Sequence, residues 1–149
     1  MKRINLGKSN PALYKCVAEL DKLASQVIND AGIDEGFSHL LRLRASQINQ
    51  CAFCIRLHTQ DALKHGESIE RISLLSAWEE SQYFSSLERS ALKLTEKITL
   101  IADDQVPDAI YKEAATYLTE EQIAAIEWLA ITINTWNRIA ISSRYTVEP

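Results

Sequence analysis

Cys51 and Cys54 are separated by Ala52 and Phe53, and His58 follows four positions after Cys54. In a helix these residues occupy i, i+3 and i+7. At about 3.6 residues per turn they share one narrow stripe. Two thiols and an imidazole on one face can do redox chemistry that a lone cysteine cannot. Thiol pKa values fall in Cys-x-x-Cys motifs and at helix N-termini, where free amides favour a thiolate. Asn49 is a good cap and is expected to start the helix, which puts Cys51 near its second position. His58, one turn beyond Cys54, reaches it directly or through one water. As a base it would take the thiol proton, leaving a thiolate beside an imidazolium. Such a thiolate attacks the distal oxygen of a peroxide and becomes a sulfenic acid. Cys51 could then close a disulfide, since an i, i+3 pair lies within the ~6.8 Å Cα limit.

Two other readings of these residues stay open. The thiols could be small buried apolar groups. They could also hold zinc, with His58 as third ligand and His39 or His65 as fourth. The lack of a second Cys-x-x-Cys counts against zinc.

The elements that must position the motif read as helices. Ser9-Asn10-Pro11 offers a cap and a first-turn proline, and an apolar repeat from Leu13 to Ile28 runs to Gly32. Phe37, Leu40, Leu41, Ala45 and Ile48 form a second stripe. The motif segment runs from about Asn49 to His65, with Gly66 as its stop. A short helix follows from Ile69 to Trp78. Ser85-Ser86-Leu87-Glu88 and Thr119-Glu120-Glu121-Gln122 read as capping boxes, the first opening a helix through Ile101. Val106-Pro107-Asp108 opens a helix between them. The last segment, Ile123 to Ile141, contains Glu127, Asn134, Asn137 and Arg138. A charge at the centre of a spanning helix costs at least ~2.5 kcal/mol, so it reads as a central or interface helix, not a membrane span. Strand and hairpin signals are weak. The prediction is an all-α bundle of about six to seven helices forming one domain over residues 1–149.

Bulk properties narrow the function. The chain has 149 residues and a net charge of −4. A domain of this size buries roughly 68–70% of its unfolded surface without needing disulfides. Its acidic balance and scattered basic residues argue against a nucleic-acid binder. Three cysteines do not make a paired secreted framework, and the N-terminus shows no signal peptide. A reducing cytoplasm is the expected location, where Cys-x-x-Cys is more often catalytic or metal-binding than structural.

The stretch Leu43-Arg44-Ala45-Ser46-Gln47-Ile48-Asn49-Gln50-Cys51-Ala52-Phe53-Cys54, with Leu57-His58-Thr59, resembles the core of the AhpD-like alkylhydroperoxidases of the carboxymuconolactone decarboxylase superfamily. Ala77-Trp78-Glu79-Glu80 and Asn134-Thr135-Trp136-Asn137-Arg138 resemble landmarks of its small single-domain branch. The similarity runs roughly from Asp34 to Arg144. It implies an AhpD-like helical fold and thiol-dependent peroxide reduction. It further implies that Cys54 becomes the sulfenic acid, Cys51 resolves it, and His58 relays protons. The family usually carries a glutamate twelve positions before the first motif cysteine, and here that position is His39. A neutral imidazole accepts a proton but does not stabilise an imidazolium as a carboxylate does. Glu35 or another carboxylate is the candidate substitute through space. Phe53 stands where some members have a second histidine.

His65, before Gly66, is expected to decorate a helix C-terminus. Cys16 falls on the apolar stripe of the first helix and is expected to pack as a buried thiol. Trp78, Trp128 and Trp136 are read as core or subunit contacts. Arg42, Arg44 and Arg56 either steer an anionic substrate and favour the thiolate, or form a solvated, salt-bridged face. No cofactor is required, because the thiols carry the electrons. The expected partners are a hydroperoxide and a thiol or dithiol-protein reductant. The broadly apolar last helix suits a homo-oligomer, and the resemblance implies a dimer, trimer or hexamer. The alternatives are a carboxymuconolactone decarboxylase-like enzyme and a non-catalytic redox sensor using the same disulfide.

Overall fold

Helix caps and glycine stops divide the chain much as local chemistry dictates. The computed structural model describes residues 1–149. It contains no strand and nine α-helical segments: α1 (Leu6–Ser9), α2 (Pro11–Asp30), α3 (Glu35–Ile48), α4 (Ala52–Lys64), α5 (Ile69–Leu74), α6 (Ser86–Thr99), α7 (Ile101–Asp104), α8 (Asp108–Tyr117) and α9 (Glu120–Ser143). A 3-10 turn over Leu75–Ala77 follows α5. Two of the nine, α1 and α7, are four-residue turns. The count therefore exceeds the expected six to seven, while the all-α class holds. The segment after Ser85 breaks at Leu100 instead of continuing through Ile101.

Both capping boxes form. Ser85 Oγ accepts from Glu88 N–H, and the Glu88 carboxylate accepts in return from Ser85 N–H. Thr119 and Gln122 make the equivalent pair at the start of α9. Each such cap contributes about 1 kcal/mol.

Helix α9 is the spine, packing against α2, α3 and α6, while α3 and α4 form the most extensive helix pair. Ile28, Leu40, Leu41, Leu43, Leu92, Leu94, Ile126 and Leu129 fill the space between them and are almost wholly buried. No helix is long and apolar enough to cross a membrane. Burial on α2 follows Val17, Asp21, Ala24 and Ile28. Cys16 lies one position off this register and is a free, exposed thiol. The expectation of a packed thiol is thereby corrected: one residue is about 100° of helix, enough to turn a side chain outward.

Two glycines place the motif helix. Gly66 has φ +92°. The amides of Gly66 and Glu67 bond to the carbonyls of Leu63 and Ala62, the Schellman arrangement that closes α4. Gly36, in the first turn of α3, faces the His65 carbonyl so closely that a Cβ there would lie 2.7 Å from it. This approach brings the end of α4 against the start of α3.

Candidate active site

The α3–α4 turn sets the position of the cysteines. Asn49 ends α3 instead of starting α4. Gln50 adopts a left-handed conformation at φ 57°. Gln50 N–H and Cys51 N–H then bond to the carbonyls of Gln47 and Ser46. This is again a Schellman closure, with glutamine where glycine is usual. Cys51 itself is the N-cap of α4, its Sγ accepting from Cys54 N–H at 3.3 Å. The expected Asn49 cap is therefore displaced by two residues. Cys54, not Cys51, lies inside the first turn, where the free amides and the helix dipole favour negative charge.

Cys51 and Cys54 form a disulfide, with Cα atoms 5.3 Å apart. Both are buried against Ala140 of α9, Phe53 and Tyr145. The turn is tied to α9 by an amide network. Asn49 Nδ2 donates to Oδ1 of Asn134 and of Asn137, each at 2.8 Å. Asn137 Nδ2 donates to Ser46 Oγ at 3.0 Å, and Asn134 Nδ2 to Thr99 Oγ1 at 3.0 Å. The polar residues that argued against a membrane span thus anchor the cysteine turn.

Cys54 and His58 line one cavity of about 260 Å³, together with Asp21, Leu57, Trp136 and Tyr145. Its walls are mainly apolar; Tyr14 and Trp136 meet edge to face at 5.1 Å, as do Phe53 and Tyr145 at 5.2 Å. Trp136 is therefore a cavity wall, in contrast to the core or subunit role expected of it. Trp78 is buried and Trp128 exposed. Cys51 opens on a separate hollow of about 300 Å³ that includes Arg3, Gln50 and Arg144.

His39 joins His58, which its position in the sequence left open. The two Nδ1 atoms lie 3.4 Å apart and the ring centroids 5.6 Å apart. The excess of the second distance over the first is about two ring radii. The two nitrogens therefore face each other at the ring edges, with the ring planes 27° apart, close enough for one ring to donate N–H and the other to accept. His39 also lies beside His65, with centroids 5.1 Å apart. His65 caps the end of α4 as expected, but does more than decorate it. Its Nδ1 donates to the Asp61 carbonyl at 2.8 Å, and its Nε2 lies 3.2 Å from Glu35. Glu35 therefore reaches the imidazoles through His65. Asp61 stands 3.9 Å from His58 Nδ1, beyond hydrogen-bonding range.

Burial holds both central imidazoles neutral. Desolvation, then the nearby Arg42 charge and His39, lower the His58 pKa to about 3. Desolvation and Arg42 lower His39 to about 4, against a smaller opposing effect of Asp61. A resting imidazolium beside the sulfur, as first expected, is thus disfavoured in this disulfide form. Arg42 is buried, its guanidinium donating to Ser38 Oγ at 3.0 Å and Ser25 Oγ at 2.7 Å. Arg44 pairs with Glu96 at 2.6 Å, and Arg56 donates to the Glu148 carbonyl at 2.8 Å. Arg44 follows the salt-bridged reading and exposed Arg56 the solvated one.

Donor atoms of His39, His58 and Asp61, and of Glu35, His39 and His65, come within 4.8 Å of one another. Zinc needs about 2.0–2.1 Å to each nitrogen with lone pairs converging on it. Neither group includes a cysteine, and in the disulfide neither sulfur is free as a ligand, so the two-thiol zinc set is not assembled. Asp21 escaped the sequence reading. The available signal was a carboxylate on the core-facing register of α2.

Known proteins share this fold. The fold is that of AhpD-like proteins. A solved structure from Agrobacterium tumefaciens, of a protein of unknown function for which an AhpD role in antioxidant defence has been suggested, matches with a TM-score of 0.89 and 34% identity, covering 100% of this chain and 99% of that one. The chain belongs to the carboxymuconolactone decarboxylase family, which matches residues 11–97. The uncharacterized Bacillus subtilis (strain 168) protein YdfG is 38% identical over 140 residues, 94% of this chain and 92% of its own length.

Proposed function

We propose that this protein is a thiol-dependent alkyl hydroperoxide reductase. The observation that carries the reading is the Cys51–Cys54 disulfide, with Cys54 sharing an apolar cavity with neutral His58. In the reduced enzyme, His58 takes the Cys54 thiol proton and His39 shares its charge. The thiolate attacks the terminal oxygen of ROOH; the O–O bond breaks, Cys54 becomes a sulfenic acid, and RO⁻ takes a proton to leave as ROH. The Cys51 thiolate then attacks Cys54 sulfur, expels hydroxide as water after protonation, and forms the disulfide. Two thiols are oxidised and one peroxide is reduced. Two equivalents of an external thiol, or one dithiol protein, restore the pair.

Family membership raises carboxymuconolactone decarboxylase chemistry as the rival. The cavity offers no arginine or lysine for a substrate carboxylate and presents Asp21 instead, so it favours the peroxide reading. A reducing cytoplasm suits the required thiols. The exposed apolar residues Leu13, Leu23, Val27 and Trp128 support self-association as a dimer, trimer or hexamer, to be measured by sedimentation.

The deciding experiment mixes reduced protein with cumene hydroperoxide in stopped flow, followed by peptide mass analysis. Rapid loss of two hydrogens at Cys51–Cys54 is expected. Cys54→Ser should abolish it, while Cys51→Ser should accumulate a sulfenic acid at Cys54. Reaction of wild-type protein only at the rate of a free thiol would defeat the proposal.

A further inference from the structure

Asp21 is the one carboxylate in the lining of the cavity that holds Cys54 and His58. It sits on the inward register of α2, and its carboxylate makes no hydrogen bond or ion pair within the chain; only its backbone carbonyl is engaged, by Ser25. The other ionisable groups in the lining are the two tyrosines, Tyr14 and Tyr145, and His58, which is held neutral. Arg42 lies behind the wall, outside the lining, with its guanidinium committed to Ser25 and Ser38. A carboxylate with no hydrogen bond therefore lines the space in which a ligand must lie to reach Cys54, with Arg42 its only charged influence.

We infer that Asp21 makes this cavity disfavour hydroperoxides carrying a carboxylate relative to neutral or cationic ones. Volume sets the first limit. A cavity of about 150 Å³ takes benzene, so about 260 Å³ admits an aryl or short alkyl group. Charge sets the second. An anion entering an apolar, partly desolvated space meets Asp21 with little screening, whereas an uncharged group meets only aromatic and aliphatic walls. Burial raises the Asp21 pKa and so opposes its charge, while Arg42 favours the ionised form that the repulsion requires.

This inference rests on the peroxide-reductase reading. Its test uses three hydroperoxides of one shape: para-carboxycumene hydroperoxide, its methyl ester, and the para-trimethylammonio analogue. Each is mixed with reduced wild-type protein and the second-order rate of thiol loss is measured. The ester should react about tenfold faster than the acid, the scale of one unit charge beside another in such a site. The cation should react at least as fast as the ester. In Asp21→Asn the ester-to-acid ratio should fall to within about twofold of one. Equal wild-type rates for acid and ester would overturn the assignment, as would an unchanged ratio in Asp21→Asn. Should that variant not fold, a cation slower than the acid in the wild type overturns it equally. Failure of all three compounds to oxidise the thiols would sink the peroxide reading itself, whereas oxidation at one common rate sinks only the role of Asp21.

Discussion

The Nδ1 atoms of His39 and His58 face each other across 3.4 Å, so that a proton on one ring can be donated to the other. A carboxylate at position 39 would accept from the His58 ring and balance its positive charge; an imidazole accepts without balancing it. Beyond His39 lie His65 and then Glu35, which is largely exposed. No carboxylate is hydrogen-bonded to the motif histidine: Asp61 stands 3.9 Å from its Nδ1, and Glu35 contacts only His65.

Placing a carboxylate there should be measurable. In His39→Glu the His58 pKa should rise from about 3 by about 1–3 units, the usual effect of an adjacent opposite charge. An NMR titration of the His58 ring reads this directly. Peroxide oxidation of the reduced variant should accelerate, and His58→Gln should slow it by about a hundredfold, as loss of a positioned base does. An unmoved His58 titration in His39→Glu would show that the two rings are not coupled.

Acid should weaken the fold through the same pair. Free histidine titrates near 6.5, while native His58 and His39 stay neutral down to about 3 and about 4. Below pH ~6.5 the unfolded chain therefore binds protons that the native state refuses, so stability falls as pH drops toward about 4. The steepest loss is ~1.4 kcal/mol per pH unit for buried His58, and less for the more accessible His39. Asp21 and Glu127, raised by burial, act in the opposite sense nearer the carboxylate range. Urea melts from pH 7 to 4.5 should show a flatter profile for His58→Gln than for the wild type.

Gln50 holds a left-handed backbone at φ 57°, which costs an L-residue roughly 1–2 kcal/mol. Gln50→Gly removes that cost but adds about 0.5–1 kcal/mol of chain entropy to be lost on folding. A net gain of up to about 1 kcal/mol is expected, seen as a higher urea midpoint at unchanged slope. A lower midpoint would mean that the Gln50 side chain stabilises the turn more than its backbone strains it.

Asn137 is fully buried and holds both Asn49 and Ser46. Asn137→Leu removes one of the two acceptors of Asn49 Nδ2 and the donor to Ser46 Oγ and should cost about 1–3 kcal/mol. Because Asn49 lies two residues before Cys51, disulfide closure after one equivalent of peroxide should also slow, lengthening the sulfenic-acid lifetime. Stability loss with an unchanged closure rate would confine Asn137 to a structural role.

Features readable in the sequence were those set within one or two helical turns. The Ser85–Glu88 and Thr119–Gln122 boxes announce themselves because both partners lie three residues apart. The spacing of Cys51, Cys54 and His58 likewise encodes a shared face. The start of α4 was misplaced because a glutamine in the left-handed region gives none of the signal that glycine does. Asp21 and the His65–Glu35 contact depend on how α2 meets α9 and how closely Gly36 lets two helix ends approach. No local pattern carries that information. Cys16 was misread by a single register step, which apolar periodicity alone does not resolve on a helix with exposed leucines at Leu13 and Leu23.

The sulfur of Cys51 is at once a bonding partner of Cys54 and the acceptor for that same residue's amide. Electron gain at the motif is thereby written into the backbone: a freed thiolate is a stronger acceptor than a bonded sulfur, and it draws the opening coil of α4 tighter. The Cys54 amide proton becomes a built-in gauge, with its chemical shift and solvent-exchange rate reporting turnover from inside the helix without any added dye or label.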